Sequence, residues 1–462
     1  MPLILGTNSI KDTGYDVDNS VRLNRGDSAN FTRTPSSASN RRTLTWSGWV
    51  KRSGLGNIQT LFDGSDGGYP EIFYFDADDK FLYHHDISGS DYKLISSQVF
   101  RDVSAWYHIV VAKDTTQSTE TNRLKVYVNG SQITMNESAL GYPTQNFEGA
   151  ININDLHIIG NWKTNSYYVD GYLCEVAFVD GTQLDATSFG EFDSDSGIWK
   201  PKDFKDDVTF GTNGFYLDFA DSADLGDDES GNGNDWTENN ITATDQSTDT
   251  CTNNFATWNG VKPLTRGALS EGNLVFTGVS GNETTYSSIG ASSGKWYFEV
   301  KGTTNGDRMS VGCAQKFVQG DQHQQTTNTN GIGYDGVTGS LYVNNSDVAT
   351  YSTYSNTDII GVALDLDNRK IYFSVNGTWQ NSADPSAGSN GYSLPSNLTD
   401  EDFWFFAVSD TYGSGATAWS ANFGSPQFSI SSGNSDPNGY GNFEYGTENF
   451  YALNSKNLAE FG

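Results

Sequence analysis

Residues able to do chemistry are thinly spread along this chain. Glu191, Asp193 and Asp195, in EFDSD, come nearest to a carboxylate set for glycoside hydrolysis. A retaining pair needs its carboxyls about 5 Å apart on a rigid face. Here Ser194 is a spacer and the setting, GEFDSDSG, is turn-like, which argues against hydrolysis. The histidines are His84, His85, His108, His157 and His323, with no HExxH among them. Adjacent His84 and His85 point to opposite faces of a strand and cannot share a metal. No GxSxG elbow occurs. GIGYDG, 331–336, satisfies GxGxxG, but a strand and turn follow it where a dinucleotide site needs a helix. RGDS, Arg25 to Ser28, is too short to carry meaning alone. No catalytic residue is assigned.

Two kinds of binding candidate remain. DESGNGND begins like a calcium loop, with Asp228, Ser230 and Asn232 in the first, third and fifth places. Its twelfth place, where a bidentate Glu belongs, is Asn239. A solvated turn is the plain reading; Ca2+ is the one cofactor weighed. The other candidates are aromatic. Trp162, Tyr167 and Tyr168 lie in GNWKTNSYY, Trp379 follows a hairpin, and Tyr412 sits in SDTYGSG. Exposed rings stack on sugars or pack against partner chains, and ordinary loop anchoring is the alternative.

The elements that must position these residues read as strands. LKVYV, KWYFEVKG, IYFSV and FWFFAV alternate with a period of two, as a sheet with one buried face requires. Asn-Gly ends two of these runs, at Asn129-Gly130 and Asn376-Gly377, and favours two-residue hairpins. Helical periodicity is confined to LDATSFGEF and the C-terminal YALNSKNLAEF. The fold class is therefore all-β, with two antiparallel β-sandwich (jelly-roll) domains joined by a turn-rich acidic linker.

The totals bound the partners. With 462 residues the chain exceeds one compact core. Basic residues number 27 against 57 acidic, a formal net charge of −30, which repels nucleic acid. Cys174, Cys251 and Cys313 share no short spacing, so neither a small disulfide framework nor a CxxC zinc site is expected. MPLILGTNSIKDTGY lacks the basic n-region of a signal peptide, and no apolar run approaches the ~20 residues of a membrane span.

Specific motifs narrow this reading. GKWYFEVKGT (294–303), IGVALDLDNRKIYFSVNGTW (360–379) and FFAVSDTYGSGATAWSANFG (405–424) occur in order. Together they resemble a SPRY domain, a non-catalytic antiparallel sandwich that binds through loops at one rim. TLTWSGWVKRS (43–53), WYHIVVAKD (106–114), RLKVYVNG (123–130) and YVDGYLCEVAFVDGTQLD (168–185) resemble a concanavalin A-like, laminin-G-like jelly roll. The pair, with RTPSSASNRRTLTWSGWVKR and GYGNFEYGTENFYALNSKNLAEFG, resembles virion proteins of tailed phages, marine ones especially.

That resemblance implies a non-enzymatic appendage such as a tail fibre, made in the host cytoplasm and exposed on the particle. Its partners would be other virion proteins and a host-surface glycan or protein. No heptads are present, so a homo-oligomer would form through the sandwiches. A head fibre, decoration or adaptor protein is the alternative, and a carbohydrate-active enzyme the weaker one. The expected organisation is an arm over 1–19, a laminin-G-like sandwich over 20–195 and a connecting region over 196–270. The strand 214–219 in that region is free to join a sandwich. A SPRY-like sandwich over 271–425 and a loop-rich tail over 426–462 complete the chain.

Overall fold

The computed structural model describes residues 9–66, 69–87, 90–279, 283–302, 309–315, 331–344, 346–395, 403–410 and 417–462. The chain is all-β and divides into two units, Thr13–Thr252 and Asn253–Gly462; the described residues before Thr13 group with the latter.

The first unit is built on two antiparallel sheets. One runs Ser131–Gln132, Leu124–Val128, Trp106–Asp114, Thr43–Arg52, Gly171–Asp180, Ser20–Leu23, Gln246–Ser247. Phe215–Leu217 also pairs with Gly171–Asp180. The other runs Met135–Ala139, Ser90–Val99, Lys80–Ile87, Tyr69–Phe75, Gln59–Asp66, His157–Ile159, Asn30–Arg33, Thr237–Asn239. Alternation sends Trp46, Val50, Ile109, Val111, Phe73, Phe75 and Tyr83 into one core between the sheets.

The connecting region differs from expectation. Every residue of Gly171–Asp180 is buried, so this strand must be covered on both faces. Trp49, Trp106, Val110, Tyr172 and Val179 form its sheet's second apolar face. Phe189, Trp199, Phe204, Phe210 and Tyr216 cover that face. Each such side chain contributes about 1.5–3 kcal/mol on leaving water. Residues 196–252 thus belong to the first unit, and Asn253 onward to the second. Residues 13–19, expected within an arm, also pack here: Val17 joins the same cluster and its N–H donates to Thr252 Oγ1 at 3.0 Å.

In the second unit the larger sheet runs Gly267–Ser270, Val275–Gly278, Thr417–Asn422, Lys295–Gly302, Ile359–Asp365, Lys370–Val375, Thr378–Trp379. The facing sheet runs Glu283–Tyr286, Phe405–Asp410, Met309–Ala314, Gly331–Asp335, Ser340–Val343, Ser346–Thr350. Trp258, Trp296, Phe298, Phe406 and Trp419 fill the core between them. The stretch 426–462 is loop-rich but packed down. Phe443, Phe450 and Ala452 cover Tyr297, Ala363 and Tyr372 on the larger sheet's outer face. A short helix, Ser455–Phe461, follows, capped by the Asn454 side chain.

Both Asn-Gly pairs form the expected turns. Asn129 and Gly130 have φ of 47° and 78°, and Asn376 and Gly377 have 47° and 75°. The asparagine side chain explains the residue choice. Asn129 Oδ1 accepts the His108 N–H at 2.8 Å, and Asn376 Oδ1 accepts the Ile359 N–H at 2.9 Å. Each asparagine thus ties its hairpin to the neighbouring strand.

Candidate functional site

The loop 160–168 folds over the outer face of the first unit's second sheet. Cross-strand pairing of Tyr69–Phe75 with Lys80–Ile87 sets that face: Ile72 opposite His84, and Tyr74 opposite Leu82. Ile72, Tyr74 and Leu82 form a small apolar cluster, and half-buried Trp162 packs on it. The Trp162 ring centroid lies 6.3 Å from Tyr74, 6.4 Å from His84 and 5.5 Å from Tyr167. Two backbone contacts hold the loop. The Lys163 N–H donates to Asp63 Oδ2 at 2.6 Å, and the Thr60 N–H donates to the Tyr167 carbonyl at 2.9 Å. Burial pushes the Asp63 carboxyl up to about 6, although Ser65 and Lys163 donate to it.

Several buried polar atoms of this face have no hydrogen-bond partner among the described residues. They are Trp162 Nε1, both ring nitrogens of His84, and Thr60 Oγ1, which shares a face with Tyr74. His84 Nε2 lies 3.5 Å from the Asp91 carboxylate, too far for a good hydrogen bond. Burial lowers the His84 pKa, with Asp91 opposing, so the ring stays neutral near pH 7. Buried polar groups are ordinarily satisfied. The half-buried rings of Trp162 and Tyr167 form an aromatic platform, with these polar atoms buried within it.

The other aromatic candidates fall elsewhere. Tyr168 is half-buried, and its carbonyl accepts from Arg25 at 3.2 Å. The RGD stretch is thereby fastened at its arginine. Trp379 belongs to the second unit, half-buried beside Tyr297 at 6.5 Å, in the cluster that seats the C-terminal segment. Tyr412 lies outside the described residues.

Asp228, Ser230 and Asn232 lie in a hydrogen-bonded turn. The Asp228 carboxylate accepts from the Tyr216, Ser230 and Asn234 N–H groups and from Ser230 Oγ, at 2.8–2.9 Å. Asn232 Nδ2 donates to the Gly211 and Gly214 carbonyls. With four donors on it, the Asp228 carboxylate is the acceptor that closes this loop. Among the described residues no group of three or more His, Cys, Asp or Glu side chains is arranged to hold a metal. The EFDSD acids also serve a turn: Asp193 accepts from Asp195 and Ser196, and Lys200 lies 3.3 Å from Glu191.

His108 is a core residue. Trp199 Nε1 donates to its Nδ1 at 3.1 Å, so Nε2 carries the proton and donates to Ser47 Oγ at 2.9 Å. Burial holds its pKa down at about 3.

Three buried carboxylates complete the electrostatic picture. Glu71 is paired with Lys113 at 2.5 Å, both side chains being essentially unexposed. Burial pushes the Glu71 carboxyl up, but Lys113, His85 and the Ile151 N–H outweigh it and hold it at about 2. Glu175, at a bulge in Gly171–Asp180, accepts only tyrosine hydroxyls: Tyr216 at 2.7 Å and Tyr15 at 3.3 Å. Burial lifts it to about 7. Glu299 is likewise lifted to about 7 by burial. It accepts the Glu444 and Tyr445 N–H groups at 2.9 and 2.7 Å, pinning the C-terminal segment.

Comparison with known proteins agrees with this architecture. Residues 295–387 match the family model described as SPRY domain. Residues 24–186 match the model described as Concanavalin A-like lectin/glucanases superfamily. Comparison with curated proteins gives no match. Among solved structures, the SPRY domain of human HERC1 is similar at 20% identity, covering 36% of this chain and 96% of that one, with a TM-score of 0.29. The native heptameric SAP-like pentraxin from Limulus polyphemus is similar at 17% identity over 37% of this chain and 79% of its own, TM-score 0.28. A human SPRY domain is similar at 19% identity over 34% and 96%, TM-score 0.26. On the family models alone, residues 24–186 are similar to a concanavalin A-like, laminin-G-type domain and residues 295–387 to a SPRY domain, classes of β-sandwich that are generally non-catalytic binding domains.

Proposed function

We propose that this chain is a non-enzymatic virion protein, a tail fibre or similar appendage, whose first sandwich binds a host-surface glycan on the Trp162 face. The observation that supports the glycan reading is the aromatic cluster of half-buried Trp162 and Tyr167 with Tyr74 and His84. Ring faces supply stacking on sugar rings. The virion setting rests on the phage-like motifs of the sequence and on two binding-class sandwiches in one acidic chain. Other virion proteins are the expected permanent partners, and a homo-oligomer the expected state.

A glycan array with the purified chain tests the reading. Binding of a defined glycan class, lost in Trp162→Ala with the fold retained by circular dichroism, is the expected outcome. Silence across the array would overturn it. A second reading, a purely structural decoration or adaptor protein, is favoured by the half-burial of Trp162 and Trp379, each serving as a loop anchor. Saturating stoichiometry on capsids together with a silent array would establish that reading, and antibody labelling of whole particles would separate head from tail.

A further inference from the structure

The sequence separates Cys174 and Cys251 widely, yet the fold brings them together. Cys174 lies at the centre of Gly171–Asp180, fully buried on the sheet's second apolar face. Cys251 packs against that same cluster from the closing segment of the first unit. The two thiols share a hydrogen bond, and the Cys251 N–H also reaches Cys174 Sγ. Both are reduced in the structure. The surrounding segment is already fixed. Lys51 Nζ bonds Asp249 Oδ2 at 2.6 Å, Trp106 Nε1 donates to Asp249 Oδ1 at 3.2 Å, and Ser20 Oγ donates to the Asp249 carbonyl at 2.7 Å. Two thiols in hydrogen-bond contact within one cluster are neighbours across which a disulfide can be sought.

We propose that Cys174 and Cys251 form an intramolecular disulfide when the chain meets an oxidising medium, fastening the closing segment of the first unit to its central strand. The oxidant is a low-molecular-weight disulfide. Half-buried Cys251, as thiolate, attacks one sulfur of the oxidant and expels one thiol. Cys174, as thiolate, then attacks Cys251 Sγ and expels the second thiol. Two protein S–H bonds and one external S–S bond are lost; one protein S–S bond and two external S–H bonds form. Burial raises both thiols, so closure in the folded chain is slow and is faster whenever the segment opens or folds for the first time. Cys313, buried in the second unit's core, has no such neighbour among the described residues and stays reduced.

The full chain is incubated in glutathione buffer rich in the oxidised form, both natively and during refolding, then acid-quenched and denatured. One titratable thiol and a proteolytic peptide pair joining Cys174 to Cys251 are expected. Cys313→Ala keeps the joined peptide and leaves no free thiol; Cys251→Ser abolishes the joined peptide. The oxidised first unit melts roughly 10 °C higher than the reduced one, a gain that Cys251→Ser does not show. Three free thiols in both arms, glutathione retained on Cys251, or a bond to Cys313 would overturn the disulfide. An unchanged melting temperature would overturn its role as a fastening.

Discussion

Replacing Lys113 by Met removes the ammonium paired with Glu71 and leaves the carboxyl in the first unit's core. The cost can be worked two ways. A carboxyl held at about 2 when folded, against about 4.5 when unfolded, gains roughly 3 kcal/mol from its surroundings at neutral pH. Removing one partner of a buried pair costs about 3–5 kcal/mol. The two agree because neither residue is exposed, so solvent screens little. The folded value is depressed, so this contribution is present above pH ~4.5 and is lost as pH falls towards 2. In Lys113→Met, Glu71 must protonate to stay buried. The deficit is therefore largest near pH 7 and shrinks towards pH 4. Scanning calorimetry reads this as a drop of roughly 10 °C in the first unit's transition. Glu71→Gln added to Lys113→Met recovers more than half, since the amide oxygen still accepts from Ile151 or Tyr83. A loss below about 1 kcal/mol at pH 7, or a deficit that does not shrink in acid, refutes the pair as a stabilising element.

Other perturbations follow from the same geometry. Glu175 has a raised folded value, so its contribution is full below pH ~4.5 and is lost as pH rises through about 7. Glu175→Gln should flatten up to about 3 kcal/mol of that dependence in melts across the neutral range, and an unaltered slope would contradict the assignment. Glu299→Gln puts an N–H where the Glu444 or Tyr445 N–H needs an acceptor. About 1–3 kcal/mol of local stability should go, seen as faster proteolysis around 443–450, with no change in the first unit. Asn129→Ala gives up both the left-handed turn conformation and the acceptor for the His108 N–H. A loss of about 1–3 kcal/mol is expected by urea unfolding, and a neutral result would show the turn to be redundant.

Much of the frame was legible because parity carries it. LKVYV and KWYFEVKG sort their residues into core and outer face as alternation dictates. Both Asn-Gly turns take the required positive φ. Parity also marks the buried ion pair. Glu71 has the same parity as Phe73 and Phe75, and Lys113 the same as Ile109 and Val111. Two opposite charges at inward positions of apolar strands are the signature of a buried pair. The connecting region is hard to read because its turns look solvated, whereas Trp199, Phe204 and Phe210 are spaced irregularly along it and still join the cluster on the sheet. At Asp228 the sequence leaves two readings open, because an Asx turn and a calcium loop use the same residue types, and the structure shows the Asx turn. Trp162 was found as an exposed-loop aromatic, but its neighbours Tyr74 and His84 were not. They come from strands far away in sequence, and only the sheet register unites them.

The cover on the first unit's second face also dictates an order of events during synthesis. Trp49 and Trp106 are made long before Trp199, Phe204 and Phe210 arrive to shield them. At ordinary translation rates of about 5–20 residues per second, the face around Trp49 stays bare for roughly 10–30 s. Ser20–Leu23 and Asn30–Arg33 wait longer still for Gln246–Ser247 and Thr237–Asn239. The nascent chain must therefore carry a sticky, half-finished sheet until residue 252 is out. A fragment cut at 195 would hold that unfinished state permanently and is expected to aggregate, whereas one cut at 252 carries its own cover.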